Sequence, residues 1–182
     1  PVPPVKIVEN GEIRADIEDM YLRRSRVPRL IALDLRAKIG ANNIAQERLT
    51  QLIGKYGAKT VKAVMKRMMN DAEARLKSKL RELPDGEWRG VAHQDSFRSG
   101  DRNIYKIALK MSKRGERLSF DFTGTDKEVE GFANCTLAGL RGGIMPIVLT
   151  MLCGDIPWAP GGLYRCFNII SEPGTINNCN FP

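Results

Sequence analysis

The sequence predicts an α+β fold, in which a long antiparallel helical hairpin is followed by an antiparallel β-meander, a buried helix and further short strands. Two long segments with apolar residues every three or four positions predict the hairpin at residues 28–83. Three short segments in which apolar and polar residues alternate predict the meander. We therefore expect an extended connector with a short helix at 1–27, then the hairpin, then an incomplete domain at 84–182.

The first residues predict an extended start and a short helix. Pro3-Pro4 favours extended backbone, and Asn10-Gly11 is a turn signal. Asp16 is suited to cap a helix that runs through about Arg24. Because the chain has no initiator methionine and ends at Asn180-Phe-Pro182 without a polar tail, we expect it to be a piece of a larger subunit.

Two helices of similar length make up the predicted hairpin. Pro28 is suited to the first turn of the first helix, which should run to about Gly54. The second helix follows a break at Tyr56-Gly57 and carries many basic residues, but no aromatic residue lies among them to stack on bases. The charge pattern therefore favours a solvated face over a nucleic-acid interface. The hairpin core is expected to consist of Val61, Met65, Met68, Leu76 and Leu80. They belong to an apolar stripe that also carries Val64, Met69, Ala72 and Leu83.

After the turn Pro84-Asp85-Gly86 the pattern changes to strands, with Gly115 available for a positive φ in the second hairpin. His93 lies near a strand end with Asp95 two residues on, where a surface role is favoured over a shared proton or metal. The apolar run from 138 to 154 predicts a helix that is buried on most faces. The segments expected to be strands are 87–94, 103–111, 117–122 and 164–171.

Composition limits the class of protein. A net charge of +8 permits an anionic partner but does not identify one. The four cysteines lack a Cys-x-x-Cys spacing, which favours buried free thiols in a reducing compartment over a zinc site or a disulfide framework. No signal peptide or apolar run of membrane-spanning length is present in the sequence, so a cytoplasmic protein is expected. The cysteines are Cys135, Cys153, Cys166 and Cys179.

The candidate functional residues lie where a strand, a polar loop and the apolar helix meet. Arg141 is the only charge of that helix, so we expect it to turn inward and to be held by Asp121, by Asp126 or by carbonyls of residues 123–134. An arginine that reaches water over its glycine neighbours is the alternative. No catalytic residue or metal ligand is predicted. The candidates for a substrate wall or a structural lock are Asp121, Thr123, Gly124, Thr125, Asp126, Asn134 and Arg141.

Seven motifs, in order along nearly the whole chain, resemble the hydantoinase B/oxoprolinase family. Within that family, Lys38–Asn43 and Gly139–Gly143 are most similar to the large (alpha) subunit of acetone carboxylase or to its acetophenone-carboxylating relatives. The motifs are Pro3-Pro4-Val-Lys-Ile7, Asp34–Asn42, Leu83-Pro-Asp-Gly86, Asp121-Phe-Thr-Gly-Thr-Asp126, Asn134 with Arg141 after it, Gly154-Asp-Ile-Pro157 and Pro173-Gly-Thr175.

The resemblance implies a middle segment of a hydantoinase B-type subunit of an ATP-dependent ketone carboxylase, which joins acetone or acetophenone to bicarbonate. An ATP-dependent cyclic-amide hydrolase of the 5-oxoprolinase or N-methylhydantoinase type is the alternative. The charge of the second helix leaves a nucleic-acid-binding module as a second alternative. For the whole complex the resemblance implies ATP and a divalent metal, either Mn, Zn or Mg, with no cofactor in this segment. It also implies a hydantoinase A-type partner that handles ATP, the remainder of its own subunit, and room for a small third subunit. The segment alone is expected to be inactive.

Overall fold

The structure is a computed structural model that describes residues 4–95, 98–131 and 133–180. Pro3, in the predicted extended start, and the last two residues of the predicted incomplete domain lie outside the described residues. Backbone contacts divide the chain into two compact units, one ending at Lys62 and the other beginning at Ala63. The domain boundaries expected at 27 and 83 stay predictions.

The first unit begins with a small hairpin and a short helix. Strands β1 (Val8–Glu9) and β2 (Glu12–Ile13) pair around Asn10 and Gly11, whose φ angles of 52° and 86° are those of a tight two-residue turn. Helix α1 (Ala15–Arg23) follows, but its N-cap position is Arg14 and not Asp16. Asp16 lies in the first turn, where its carboxylate accepts a 2.7 Å hydrogen bond from Arg14. The predicted cap was therefore wrong, because an ion pair uses that carboxylate.

Helix α2 (Pro28–Tyr56) has its proline in the first turn, as predicted, and is continuous through Gly40. Gly57 has a φ of 80°, which ends the helix at the predicted break. An ion pair of 3.0 Å between Arg36 and Glu18 connects α2 to α1. No described residue of α2 is buried. The antiparallel pairing of this helix with the next one stays a prediction.

Helix α3 (Ala58–Glu82) buries only the C-terminal half of its apolar stripe. Leu76 and Leu80 are fully buried, whereas Met65 and Met68 are 48% and 45% exposed. The buried half packs into a cluster with residues of the sheet and of the later helix. Leu76 and Leu80 therefore lie in the core of the second unit, and the expectation that Met65 and Met68 belong to the same core was wrong for this chain.

A four-stranded sheet forms the frame of the second unit. Strands β3 (Gly86–Asp95), β4 (Ile104–Arg114) and β5 (Arg117–Asp121) are antiparallel and adjacent in chain order, which confirms the predicted meander. Gly115 has a φ of 53° at the turn between β4 and β5, as predicted. Strand β6 (Phe167–Ile170) then pairs parallel to β5. The start of the predicted strand 164–171 is helical instead, because the short helix α5 (Pro160–Leu163) continues into a single helical turn at Tyr164–Cys166.

Helix α4 (Leu137–Leu152) packs one side against this frame. Thr136 caps the helix by accepting a 3.3 Å hydrogen bond from the Gly139 backbone. A Cβ at Gly139 would lie 2.4 Å from the Cys135 sulfur, so a larger residue there would require the Cys135 side chain to move. Ile147 and Met151 are 66% and 75% exposed. The expectation that this helix is buried on most faces was therefore wrong, since within this chain the core covers only the side that carries Ile144, Met145 and Val148.

Candidate functional site

The candidate site begins where β5 ends at Asp121. One carboxylate oxygen of Asp121 accepts a 3.0 Å hydrogen bond from the Thr123 backbone, and the other lies 3.4 Å from the Lys110 ammonium. Hydrogen bonds from the hydroxyl and backbone of Thr123, together with Lys110, hold the pKa of Asp121 below its ordinary value. Asp121 is therefore an ionised residue that fixes the start of the turn.

The turn after Asp121 docks onto β4 through two side chains. The Thr125 hydroxyl accepts a 3.1 Å hydrogen bond from the Ala108 backbone and lies 3.3 Å from the Ala108 carbonyl. The Asp126 carboxylate accepts a 2.7 Å hydrogen bond from the Lys106 backbone, and the Asp126 backbone donates to the Lys106 carbonyl at 3.0 Å. These contacts continue the hydrogen bonding of β4 beyond the end of β5.

Backbone conformation explains the residue types in this turn. Gly124 has a φ of 88°, a left-handed conformation that favours glycine. Thr125 is only 7% exposed, whereas Thr123 is exposed. The string from Asp121 to Asp126 thus forms a rigid structural corner.

Asn134 holds the next loop, which leads into α4, through hydrogen bonds to the backbone. Its amide oxygen accepts a 3.2 Å hydrogen bond from the Val129 backbone, and its amide nitrogen donates to the Val129 carbonyl at 2.6 Å. The neighbouring Cys135 backbone donates to the Ile176 carbonyl at 2.7 Å and accepts from Cys179 at 3.0 Å. The loop that leads into α4 is therefore held by the last part of the chain.

The asparagines near the end of the chain also form hydrogen bonds with loop residues. Asn178 donates to the Ser171 carbonyl at 3.0 Å, and Asn180 contacts the Glu128 carboxylate through its backbone and its amide at 2.7 and 2.9 Å. Asn177 is buried, and its amide oxygen accepts from Thr175 at 2.9 Å. These contacts use the asparagine side chains to hold the turns near the end of the chain.

The structure contradicts the predicted inward contact of Arg141. Arg141 is exposed, and its guanidinium has no hydrogen-bond or ion-pair partner among residues 4–95, 98–131 and 133–180. The physical reason is that the predicted acceptors have nearer partners, since Asp121 is held by Thr123 and Lys110, and Asp126 by the Lys106 backbone. The strand turn is locked without Arg141.

Arg141 instead lines a cavity of about 480 Å³. The Tyr164 hydroxyl donates a 2.9 Å hydrogen bond to the Arg141 carbonyl, which ties the cavity wall to α4. Sequence reasoning missed the aromatic wall formed by Tyr164 and Phe167. The spacing of aromatic and apolar residues within the predicted strand 164–171 could have indicated this wall. The lining residues are Ala138, Arg141, Tyr164, Phe167 and Ile169.

The described residues do not fit the divalent metal that the resemblance implies. Among them no group of three histidine, cysteine, aspartate or glutamate side chains could hold a metal ion. His93 and Asp95 are both exposed on β3. The four cysteines are free, and burial raises the pKa of Cys166 to about 11, which disfavours the thiolate that a metal would need. The chemistry of these side chains therefore speaks against a metal site within the described part of the chain.

The basic surface of α3 is partly neutralised by neighbouring carboxylates. Arg75 pairs with Asp71 at 2.9 Å, Lys77 pairs with Glu73 at 2.7 Å, and Arg81 pairs with Glu116 at 3.1 Å, while Lys79 contacts Asp155. Such pairing lowers the positive field that a nucleic-acid backbone would require. Every helix within the described part of the chain is too short or too polar to cross a lipid bilayer.

Comparison with known proteins identifies the family. The family model for hydantoinase B/oxoprolinase matches residues 1–182. The B-type subunit of a putative D-/L-hydantoinase from a Pseudomonas species is 28% identical over 98% of this chain and 32% of its own length. The acetophenone carboxylase delta subunit of Aromatoleum aromaticum is 28% identical over 70% of this chain and 19% of its own length.

Solved structures show the same fold. The crystal structure of ATP-dependent caprolactamase from Pseudomonas jessenii matches with a TM-score of 0.79 and 25% identity, over 100% of this chain and 31% of that one. The nucleotide-free structure of acetone carboxylase matches with a TM-score of 0.77 and 18% identity, over 96% of this chain and 24% of that one. The chain thus spans about a third or less of these relatives. Because the family model covers the whole sequence, the chain belongs to the hydantoinase B/oxoprolinase family.

Proposed function

We propose that this chain is a segment of a hydantoinase B-type subunit of an ATP-dependent carboxylase that joins a ketone, acetone or acetophenone, to bicarbonate. The observation that carries the proposal is the family match along all of residues 1–182. Two further observations favour a ketone substrate: the motifs Lys38–Asn43 and Gly139–Gly143, and the similarity to the acetophenone carboxylase delta subunit.

In this proposal the segment supplies scaffold and one wall of the substrate route. The corner from Asp121 to Asp126 fixes the end of β5 against β4, and the cavity at Arg141 opens beside α4. Ile147, Met151 and Trp158 are 66 to 75% exposed, an apolar surface of the kind that other parts of a larger protein cover.

In this proposal, ATP handling belongs to a hydantoinase A-type partner, and the divalent metal is held by residues outside this segment. The buried free thiols favour a cytoplasmic enzyme.

Cyclic-amide hydrolysis is the second candidate function. It is supported by the fold match to ATP-dependent caprolactamase over the full chain and by the similarity to a putative hydantoinase. Both candidates use ATP to activate a carbonyl group. They differ in the step that follows, because water attacks the activated amide in one, while the activated ketone is joined to activated bicarbonate in the other.

Product analysis of the intact enzyme complex separates the two candidates. The complex would receive ATP, ¹³C-bicarbonate and one of acetone, acetophenone, 5-oxoproline or caprolactam, with ATP omitted in the control. We expect the label to enter a β-keto acid formed from one of the ketones, only when ATP is present. ATP-dependent ring opening without incorporation of the label would replace the proposal by the second candidate. Absence of ATP-dependent turnover with any of the four substrates would contradict both.

A further inference from the structure

The cavity beside α4 carries one charge. Of its five lining residues only Arg141 is ionised, and the other four are alanine, isoleucine and two aromatic residues. A volume of about 480 Å³ lies within the usual range for small-molecule sites. The cavity therefore combines the size of a small organic ligand with a single positive group and an apolar lining.

The Arg141 guanidinium is available to a ligand. It has no acceptor among the residues that the structure describes, although the chain contains many carboxylates. Arg165, which directly follows the lining residue Tyr164 in the chain, differs from Arg141 because its guanidinium is paired. Arg165 contacts Glu73 at 3.0 Å and Asn70 at 2.9 Å. Five N–H donors in a planar fork are thus left open at the cavity.

Aromatic contacts fix the part of the cavity wall that Tyr164 and Phe167 form. The Tyr164 and Phe167 rings meet edge to face at 5.8 Å, and Phe167 meets the buried Phe120 in the same way at 5.7 Å. The Tyr164 hydroxyl is used by the Arg141 carbonyl, so the tyrosine presents its ring. A rigid apolar wall beside a free guanidinium favours a ligand that has both an apolar body and an anionic end.

We propose that this cavity is a binding site for a small organic carboxylate. The carboxylate accepts two parallel hydrogen bonds from Arg141, and the apolar body lies against Tyr164 and Phe167. Arginine recognises a planar carboxylate in this bidentate way, which lysine does not reproduce. The binding site rests on the cavity and not on the proposed reaction. If the proposed function also holds, the ligand is the carboxylate that either reaction produces.

Calorimetric titration of the intact protein with benzoate tests this site, since benzoate has an aromatic body and a single carboxylate. Benzamide has the same shape without the charge, and inorganic phosphate has the charge without the body. We expect benzoate to bind at least about tenfold more tightly than either, because charge-assisted hydrogen bonds and apolar contact both contribute. Equal binding of benzamide, or tighter binding of phosphate, would overturn the proposal. This comparison uses the unmodified protein and does not depend on a variant.

Substitutions of single arginines test whether benzoate binds at Arg141. Arg141→Met should weaken benzoate binding at least about tenfold without changing the melting temperature, because the side chain is exposed and unpaired. Arg141→Lys should recover only part of the loss. Arg67→Met, at an exposed arginine of α3 that does not line the cavity, is the matched control for charge and should leave binding unchanged. An equal loss in both methionine variants would show non-specific attraction and would reject the site, as would unaltered binding by Arg141→Met.

Discussion

Replacing Thr125 by valine should destabilise the second unit, because the side chain keeps its shape but loses its hydroxyl. That hydroxyl bridges the Ala108 backbone N–H and carbonyl at 3.1 and 3.3 Å, and Thr125 is 7% exposed. Valine would leave a backbone N–H of β4 without its acceptor, which costs about 1–3 kcal/mol when the group is buried. Since Ala108 is only partly buried, we expect the lower part of that range, about 1–2 kcal/mol.

The measurement is thermal unfolding followed by tryptophan fluorescence. The two tryptophans of the chain, Trp88 and Trp158, both lie in the unit that begins at Ala63, so they report on the unit that contains Thr125. For a chain of this length, about 1–2 kcal/mol corresponds to a lowering of the melting temperature by roughly 2–8 °C.

Thr123→Val is the matched control for this prediction. Thr123 is in the same turn but is exposed, so water can replace its hydroxyl contacts, and a change within about 0.5 kcal/mol is expected. Two results would contradict this prediction: a melting temperature of Thr125→Val equal to that of the wild-type protein, or an equal loss of stability in both variants. Either result would show that the docking of the turn onto β4 does not stabilise the second unit.

Three further predictions concern the core, the strand end and the thiols. Leu76→Ala should cost about 2–5 kcal/mol in denaturant unfolding, whereas Met68→Ala, at a half-exposed position of the same helix, should cost far less. Because folding lowers the pKa of Asp121, this carboxylate should stabilise the fold above about pH 4, and the stabilisation should be lost as the pH falls through the folded pKa. In unfolding experiments at a series of pH values, Asp121→Asn should abolish that part of the loss of stability in acid. Cys166, with its pKa raised to about 11, should resist iodoacetamide at pH 8 until the chain unfolds, and mass spectrometry should find the partly exposed Cys135 modified first.

The sequence by itself predicted the features that depend on neighbouring residues. Pro28 begins α2 as expected, and Gly115 takes the positive φ of the second hairpin. The position of β5 also followed from the alternation of residue types within a few positions. Such features are set by backbone sterics and by side-chain alternation, which are readable in a short window. The motif order likewise predicted the family that the comparisons confirm.

Contacts between distant segments were decided only by the tertiary structure. Strand β6 pairs parallel to β5 although some 45 residues separate them, and this pairing creates the aromatic wall at Phe167. The partner of Arg141 was mispredicted because Asp121 and Asp126 are used by Lys110 and by the β4 backbone. A helical period shows which residues share a face, but burial requires a second surface to cover that face. For this reason Leu76 is buried and Met68 is not, although both belong to one stripe.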